Sequence, residues 1–245
     1  RKRFHTKFGE IVICTDDGMR YWRRTAYKHY KSGRKKKRDD SKYDWPQIWH
    51  SMEQVKNELR ETFPYKVITA TGAEADDIIA VLCREEAKKN GTGEKILIVS
   101  SDKDFLQLQR YQNVHQYSPK NKEFIKEADP IAYLKHHILN GDSSDGIPNF
   151  LSPDDVFSAG TRQASLYKES AKEWVKQEPE QFCNEEQLKN YRRNELLIDF
   201  DKIPPEVEQE IITAFTECKV GHRSKLLSYM IKHKLKNLMS DIGDF

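Results

Sequence analysis

The sequence predicts an α/β protein: a mostly parallel sheet flanked by helices, followed by a mainly helical C-terminal part. Three observations carry this. Short β-branched runs alternate with amphipathic stretches between residues 10 and 100, at the spacing of parallel βαβ units. Acidic residues stand just after those runs, where open parallel sheets place their sites. Past Lys122 the apolar period becomes helical. The expected division is residues 1–125 for the α/β part, with a basic excursion over 20–45, and 126–245 for the helical part.

Residues 10–15 are β-branched and read as a buried parallel strand ending at Asp16. Residues 20–38 carry ten Lys or Arg and no Asp or Glu, with Tyr21, Trp22, Tyr27 and Tyr30 interleaved. This stretch is expected to begin helical and to break at Ser32-Gly33, with 35–41 a solvated charge run. Trp45-Pro46 opens a helix whose apolar stripe is Ile48, Met52, Val55, Leu59 and Phe63. Residues 65–70 read as a strand and Thr71-Gly72 as a turn. Residues 74–90 read as a helix carrying Ile78, Ile79, Val81, Leu82 and Ala87, stopped by Gly91-Thr92-Gly93. Residues 95–100 form the clearest strand and 114–117 a weaker one. Helices are expected over 130–139, 166–176, 184–197, 205–218 and 224–239, with 150–165 irregular.

The chain has 245 residues, 33% of them charged, and a net charge of +3. Its mean hydropathy of −0.86 is polar, yet recurring apolar runs exclude a disordered chain. The four cysteines, Cys14, Cys83, Cys183 and Cys218, form no CxxC pair, so no zinc knuckle or redox motif is present. Cys14 and Cys83 lie in apolar patterns and read as buried free thiols, which suits a reducing cytosol. No stretch approaches transmembrane length. The chain opens without Met in a basic amphipathic segment, so a preceding N-terminal piece is expected.

The chemistry is written in three acidic clusters: Glu74-Ala75-Asp76-Asp77, Ser101-Asp102-Lys103-Asp104 and Gly141-Asp142-Ser143-Ser144-Asp145, after an earlier pair, Asp16-Asp17. Each has an ordinary reading. The first also describes acidic capping of a helix. The second describes a solvated βα turn, and the third a C-capping glycine with a polar turn. A phosphatase-type DxD does not fit the second, because Phe105 follows it. Gly91-Thr92-Gly93-Glu94-Lys95 precedes a strand, so it is not a phosphate loop. Convergence of so many carboxylates calls for a cation, and an all-oxygen set suits hard divalent ions. Basic residues among aromatics point to a polyanion, with rings for bases and cations for phosphates. His136-His137 have no acidic or cysteine partner nearby in sequence and read as helix surface or core.

In this order and at strand ends, the motifs resemble one family. The matching words are Ile13-Cys14-Thr15-Asp16, Tyr21-Trp22-Arg23-Arg24, Glu74-Ala75-Asp76-Asp77 with the helix after it, Ile98-Val99-Ser100-Ser101-Asp102-Lys103-Asp104-Phe105, Gly141-Asp142, Leu197-Ile198-Asp199-Phe200-Asp201-Lys202-Ile203-Pro204 and Ile242-Gly243-Asp244-Phe245. They resemble the 5′ nucleases, or flap endonucleases, of phage replication, along nearly the whole chain. The resemblance implies a PIN-like sheet with a helical arch over 20–45 and a helical DNA-binding C-terminal part. It implies Mg²⁺ at two sites, with Mn²⁺ as a substitute. Asp16, Glu74, Asp76 and Asp102 would serve the first metal. Asp104 and Asp145 would serve the second, with Asp142 nearby or one shell out. It gives Lys31 and Arg34 catalytic roles, and gives Arg23, Arg24, Tyr30, Lys35 and Lys36 nucleic-acid contacts, with 35–41 as the arch crest. The implied substrates are 5′ flaps, nicked or gapped duplex DNA and RNA–DNA hybrid. The implied task is primer removal, by a monomer in the host cytoplasm beside a single-stranded-DNA-binding protein and a sliding clamp.

Three departures accompany the resemblance. The family's first metal carboxylate falls ahead of Arg1. Gly146 stands where Asn is usual, and Asn149-Phe150 stands for Gly-Val, which weakens the expectation of a regular helix-hairpin grip on duplex. The 150–165 stretch is expected to be discontinuous if residues were removed there. A catalytically silent binding module on the same fold and a small-molecule phosphatase are the rival readings. The acidic set speaks against the first and the basic stretch against the second.

Overall fold

A computed structural model describes residues 3–18, 21–89 and 93–245. Arg1, Arg20, Asn90, Gly91 and Thr92, which figure in the sequence reading, lie outside the described residues. A short helix α1 (His5–Phe8) leads into β1 (Val12–Cys14), which pairs in parallel with β2 (Lys66–Ile68). Between them lie α2 (Trp22–Ala26), α3 (Gly33–Asp39) and α4 (Trp45–Thr62). Then come α5 (Ala75–Ala87) and β3 (Ile96–Val99). A 3₁₀ turn over Asp104–Arg110 precedes β4 (Val114–Ser118) and β5 (Glu123–Ile125). β3 pairs with β4 in parallel and β5 with β4 antiparallel.

The strands therefore form two ladders among the described residues, rather than the one sheet expected. Two of the three pairings are parallel, and both ladders share one core. Ile68 and Ala70 pack with Ile98, Ile78, Val81 and Phe105 in a single buried cluster. β5 was not expected: its Glu123 and Phe124 are exposed, so no apolar run marks it.

The helices start where capping chemistry predicts. Asp44 accepts from the Gln47 N–H at 3.1 Å, and Pro46 sits in the first turn of α4. Glu74 and Asp77 form a reciprocal capping box on α5, the Glu74 N–H donating to Asp77 Oδ2 at 3.0 Å. Asp129 caps α6 (Pro130–Asn140), which Gly141 ends at φ 66°. The helical part continues with α7 (Lys168–Trp174), α8 (Glu185–Ile198) and α9 (Pro205–Glu217). The last expected helix is broken into α10 (Leu226–Lys232) and α11 (Lys236–Met239), with Lys234 at φ 56° between them.

Two expectations fail around the basic excursion. The first helix, α2, already ends at Ala26 with Tyr27 extended, Lys31 turns the chain at φ 55°, and Ser32-Gly33 begin α3 instead of breaking a helix. The charge run 35–41 is thus largely helical, and its side chains reach solvent. The apolar stripe of α4 does not face a core. Met52 and Val55 are exposed, and only Leu59 and Phe63 at its end join Tyr65, Leu226 and Met230. With α3, the first half of α4 stands off the body, where Arg38 lies over the Trp49 ring and Trp45 donates to Ser41 at 2.6 Å. Ile242 and Phe245 pack on that same group. Cys83 is buried and Cys14 half-buried, and burial pushes both thiols up to about 12, so they stay protonated.

Candidate metal centre

The sheet's carboxyl ends, the start of α5 and the turn after α6 bound one cleft. Its lining includes Tyr30, Glu74, Asp76, Asp104, His137, Asp142 and Asp145. Asp16 follows β1, is exposed, and accepts from the Ala75 N–H at 2.8 Å, which ties it to the start of α5. Asp102 follows β3. Its backbone carbonyl accepts from the buried Gln116 at 2.5 Å, and its Oδ1 accepts from the Asp104 N–H at 3.1 Å. These bonds hold the second acidic motif in a tight turn on β4.

The third motif is set by backbone. Asp142 bridges to Ile147 and closes the turn, and the Asp145 carbonyl accepts from the Lys31 N–H at 2.7 Å. Gly146, in the place expected for Asn, has φ 76°, and a Cβ there would lie 2.8 Å from the His29 carbonyl oxygen. Glycine is what both constraints demand. Asn194 of α8, fully buried, donates to the Ile138 carbonyl at 2.8 Å and the Pro148 carbonyl at 2.9 Å, locking the turn to the helical core.

Basic residues reach the acids unequally. Arg23 is 3% exposed and pairs with Asp77 at 2.7 Å and Glu74 at 3.1 Å, while its Nε donates to the Leu197 carbonyl at 2.8 Å. Trp22 donates to the other Asp77 oxygen at 3.1 Å. Tyr30, buried, donates to Glu74 at 2.7 Å and to Asp145 at 3.1 Å. Arg23 and Tyr30 thus present no face to a nucleic acid. Both side chains, expected as substrate contacts, bond Glu74. Lys31 pairs with Glu74 and lies 3.5 Å from Asp145, which Arg34 meets at 2.6 Å. Arg24, Lys35 and Lys36 are exposed.

The electrostatics divide the acids. Burial alone would raise the Glu74 carboxyl, but Lys31 and Arg23 outweigh it and hold the group below the usual range. Asp76 is pushed up to about 7 by burial, then by Asp102 and Glu74. Asp104 is pushed up to about 8 by burial, then by Asp102, Asp142 and Asp76. Among the described residues no Lys or Arg pairs with Asp76, Asp102, Asp104 or Asp142. Glu74 and Asp145 share Lys31, and the other four face one another.

His137, expected as plain helix surface or core, lies in this cleft. Its Nδ1 is buried without a hydrogen-bond partner, 3.7 Å from Asp104 Oδ1. Asp104, His137 and Asp142 offer ligand atoms all within 4.8 Å of one another. The signal in the sequence was spacing from a helix stop: His137 stands one turn before Gly141-Asp142, so it shares their end of α6. Clustered unneutralised carboxylates and an orphaned imidazole nitrogen are what a divalent cation satisfies, so these residues fit one.

The sequence model described as 5′-3′ exonuclease, N-terminal resolvase-like domain, matches residues 3–135. A second, described as T4 RNase H, C terminal, matches residues 130–245. The chain belongs to the 5′-3′ exonuclease family. Within it, the chain is 35% identical to Ribonuclease H of Enterobacteria phage T4, covering 97% of this chain and 80% of that protein. It is 32% identical to a 5′-3′ exonuclease of Buchnera aphidicola, over 57% of this chain and 47% of that one. A flap endonuclease of Shewanella is 31% identical over 56% of this chain and 51% of its own. The chain thus spans about half of these two bacterial relatives. In fold it is similar to a phage T5 protein co-crystallised with metal ions, with a TM-score of 0.63, 15% identity and 85% of each chain covered. A phage T5 5′-exonuclease with bound zinc superposes at 0.56, with 16% identity, over 85% of this chain and 84% of that one. No helix among the described residues is long and apolar enough to cross a membrane.

Proposed function

We propose that this chain is a Mg²⁺-dependent 5′-to-3′ exonuclease and flap endonuclease that removes RNA primers during phage DNA replication. The observation that carries the reading is the convergence of Asp76, Asp102, Asp104 and Asp142 without a cationic partner, beside Lys31 and Arg34 at the foot of the basic helix α3. A Mg²⁺ or Mn²⁺ ion would be held by Asp76 and Asp102, helped by Asp16, and a second by Asp104 and Asp142. Bound there, divalent cations acidify a water and neutralise a phosphodiester. Glu74, already paired with Arg23 and Lys31, orients the entrance to the first position more than it supplies free charge.

The remaining work falls to the chain's own side chains. Lys35, Lys36 and Lys37 stand exposed on α3 and attract a polyanionic 5′ strand before contact. Arg24 offers an exposed guanidinium beside the Tyr21 ring. Lys31, a point charge on a flexible stem, is held by Glu74 and Asp145 until a phosphate competes for it. Arg34, bound to Asp145 and nearly half exposed, supports the same phosphate from the solvent side. The C-terminal helices would hold duplex through its backbone, reading shape over sequence. The substrates are 5′ flaps, nicked or gapped duplex and RNA–DNA hybrid. The protein works as a monomer in the host cytoplasm, with a single-stranded-DNA-binding protein and a sliding clamp as partners.

The test is single-turnover cleavage of a labelled 5′ flap and of an RNA–DNA hybrid with Mg²⁺, Mn²⁺ or EDTA. Asp102→Asn is expected to lose at least about 100-fold in rate, roughly 2.7 kcal/mol of barrier, and to keep flap binding in Ca²⁺. Binding without metal-dependent cleavage in the unsubstituted protein would establish the silent binding module instead.

A further inference from the structure

We propose that His137 is a direct ligand, through Nδ1, of the cation held between Asp104 and Asp142, and that it makes this position prefer Mn²⁺-class ions to Mg²⁺. The inference rests on the nuclease reading only for the presence of a cation at this end of the cleft. Three observations support it. The ligand atoms of Asp104, His137 and Asp142 lie within 4.8 Å of one another. Ligands about 2.1 Å from one ion lie at most about 4.2 Å apart, so small side-chain rotations complete the set. The His137 Nδ1 is buried and unbonded, and the nearest carboxylate oxygen, on Asp104, stands at 3.7 Å, too far for a hydrogen bond. A buried imidazole nitrogen aimed at two carboxylates is costly unless something accepts its lone pair or its proton.

The simpler account is a core histidine satisfied locally. It fails on that nitrogen: Tyr133, packed at 6.1 Å between ring centroids, supplies a ring face and no hydrogen bond to it. The backbone also favours ligation. His137 lies in the last turn of α6, and its carbonyl accepts from the Gly141 N–H at 2.9 Å, so ring and Asp142 are held on one rigid helix end. Asp104 comes from a separate element, at the start of the 3₁₀ turn that packs on α6.

The chemistry that follows is selectivity. Carboxylates alone suit Mg²⁺, whereas imidazole adds a borderline donor that strengthens binding along the Irving–Williams order and gains little with Mg²⁺. One nitrogen among the oxygens therefore separates the two cleft positions by metal preference.

The experiment uses the full chain without nucleic acid, the metal ions alone being the probe. Electron spin-echo envelope modulation on the protein with two equivalents of Mn²⁺ is expected to show ¹⁴N coupling from a directly bound imidazole. His137→Gln, which swaps the nitrogen for an amide oxygen at constant charge, is expected to abolish that coupling. Calorimetric titration should show Mn²⁺ affinity falling about tenfold and Mg²⁺ affinity changing less than about twofold. Asp104→Asn should weaken both ions. Absence of ¹⁴N coupling in the unsubstituted protein, its persistence in His137→Gln, or equal losses for both ions would overturn the proposal. The unsubstituted spectrum decides even if a variant misfolds. A failure of the nuclease reading shows separately, as metal binding with ¹⁴N coupling and no cleavage.

Discussion

On one wall of the cleft, Glu74 and Asp145 meet Arg23, Tyr30, Lys31 and Arg34. On the other, Asp76, Asp102, Asp104 and Asp142 meet one another and backbone N–H groups. Both walls are carboxylate-rich, yet their charge states differ in direction. Glu74 is held below the usual carboxylate range, and Asp104 is pushed up to about 8. The difference teaches where the molecule is finished and where it is waiting. The first wall balances its charge internally and so has a defined geometry without any ion. The second carries uncompensated charge, and only an added cation lets all its carboxylates ionise together at neutral pH.

The first wall breaks hardest at Arg23. Arg23→Met leaves Asp77 buried without its cationic partner and Glu74 with Lys31 and Tyr30 alone, and is expected to cost about 3–5 kcal/mol of stability. Denaturant unfolding measures it. A loss under about 1 kcal/mol would mean that the pair is not buried in solution.

Lys31 sharpens the comparison, because it belongs to the balanced wall and is proposed to meet the scissile phosphate. Lys31→Ala is expected to lower the saturating single-turnover rate by 10- to 100-fold, about 1.4–2.7 kcal/mol, while flap affinity changes less than about threefold. Lys36→Ala, on the exposed helix, should reduce affinity and its salt dependence with little effect on rate. Equal behaviour of the two variants would reduce Lys31 to one more steering charge.

Asp145 comes next. It is already neutralised by Arg34 and Lys31, so Asp145→Asn should slow cleavage by about tenfold, roughly 1.4 kcal/mol, well short of Asp102→Asn. A larger loss at Asp145 would put a metal on the first wall as well.

The smallest effect is a pH slope. Asp76 and Asp104 have folded pKa values of about 7 and about 8, raised above their ordinary value, so the folded state binds these protons more tightly than the unfolded one. Their contribution is fully present at low pH and is lost as pH rises through those values. His137 is shifted down, chiefly by burial, so its opposite contribution is complete by about pH 6.5. Between about pH 6.5 and 8 the metal-free protein should lose a few degrees of melting temperature, roughly 1 kcal/mol or more. Saturating Mg²⁺ or Asp104→Asn should flatten the slope. A flat metal-free profile would show that the second wall is better solvated than its geometry implies.

Much of this was legible in the sequence, and the reason is local. Strand runs at 12–14, 66–68 and 96–99 announce themselves by β-branched residues, and α4, α5 and α6 by their capping residues. The acidic motifs fall after strands because the chain must turn there, so their order predicted one cleft. What the sequence could not decide is which residues end up inside it. Arg23 and Arg24 are neighbours of the same type, yet one is buried against acids 51 and 54 residues away and the other is in solvent. Tyr30 looked like a stacking ring and is a buried donor. The stripe on α4 looked like core and is largely exposed, because a helical period tells which residues share a face and not what that face meets. His137 has no partner in its own segment, and gains Asp104 only when α6 packs on the turn after β3. Periodicity, capping and turn chemistry act over a few residues, so the sequence by itself determines elements and the order of motifs. Burial and charge pairing act over a few ångströms between distant segments, so only the tertiary structure decides which charges are cancelled and which are left for a metal.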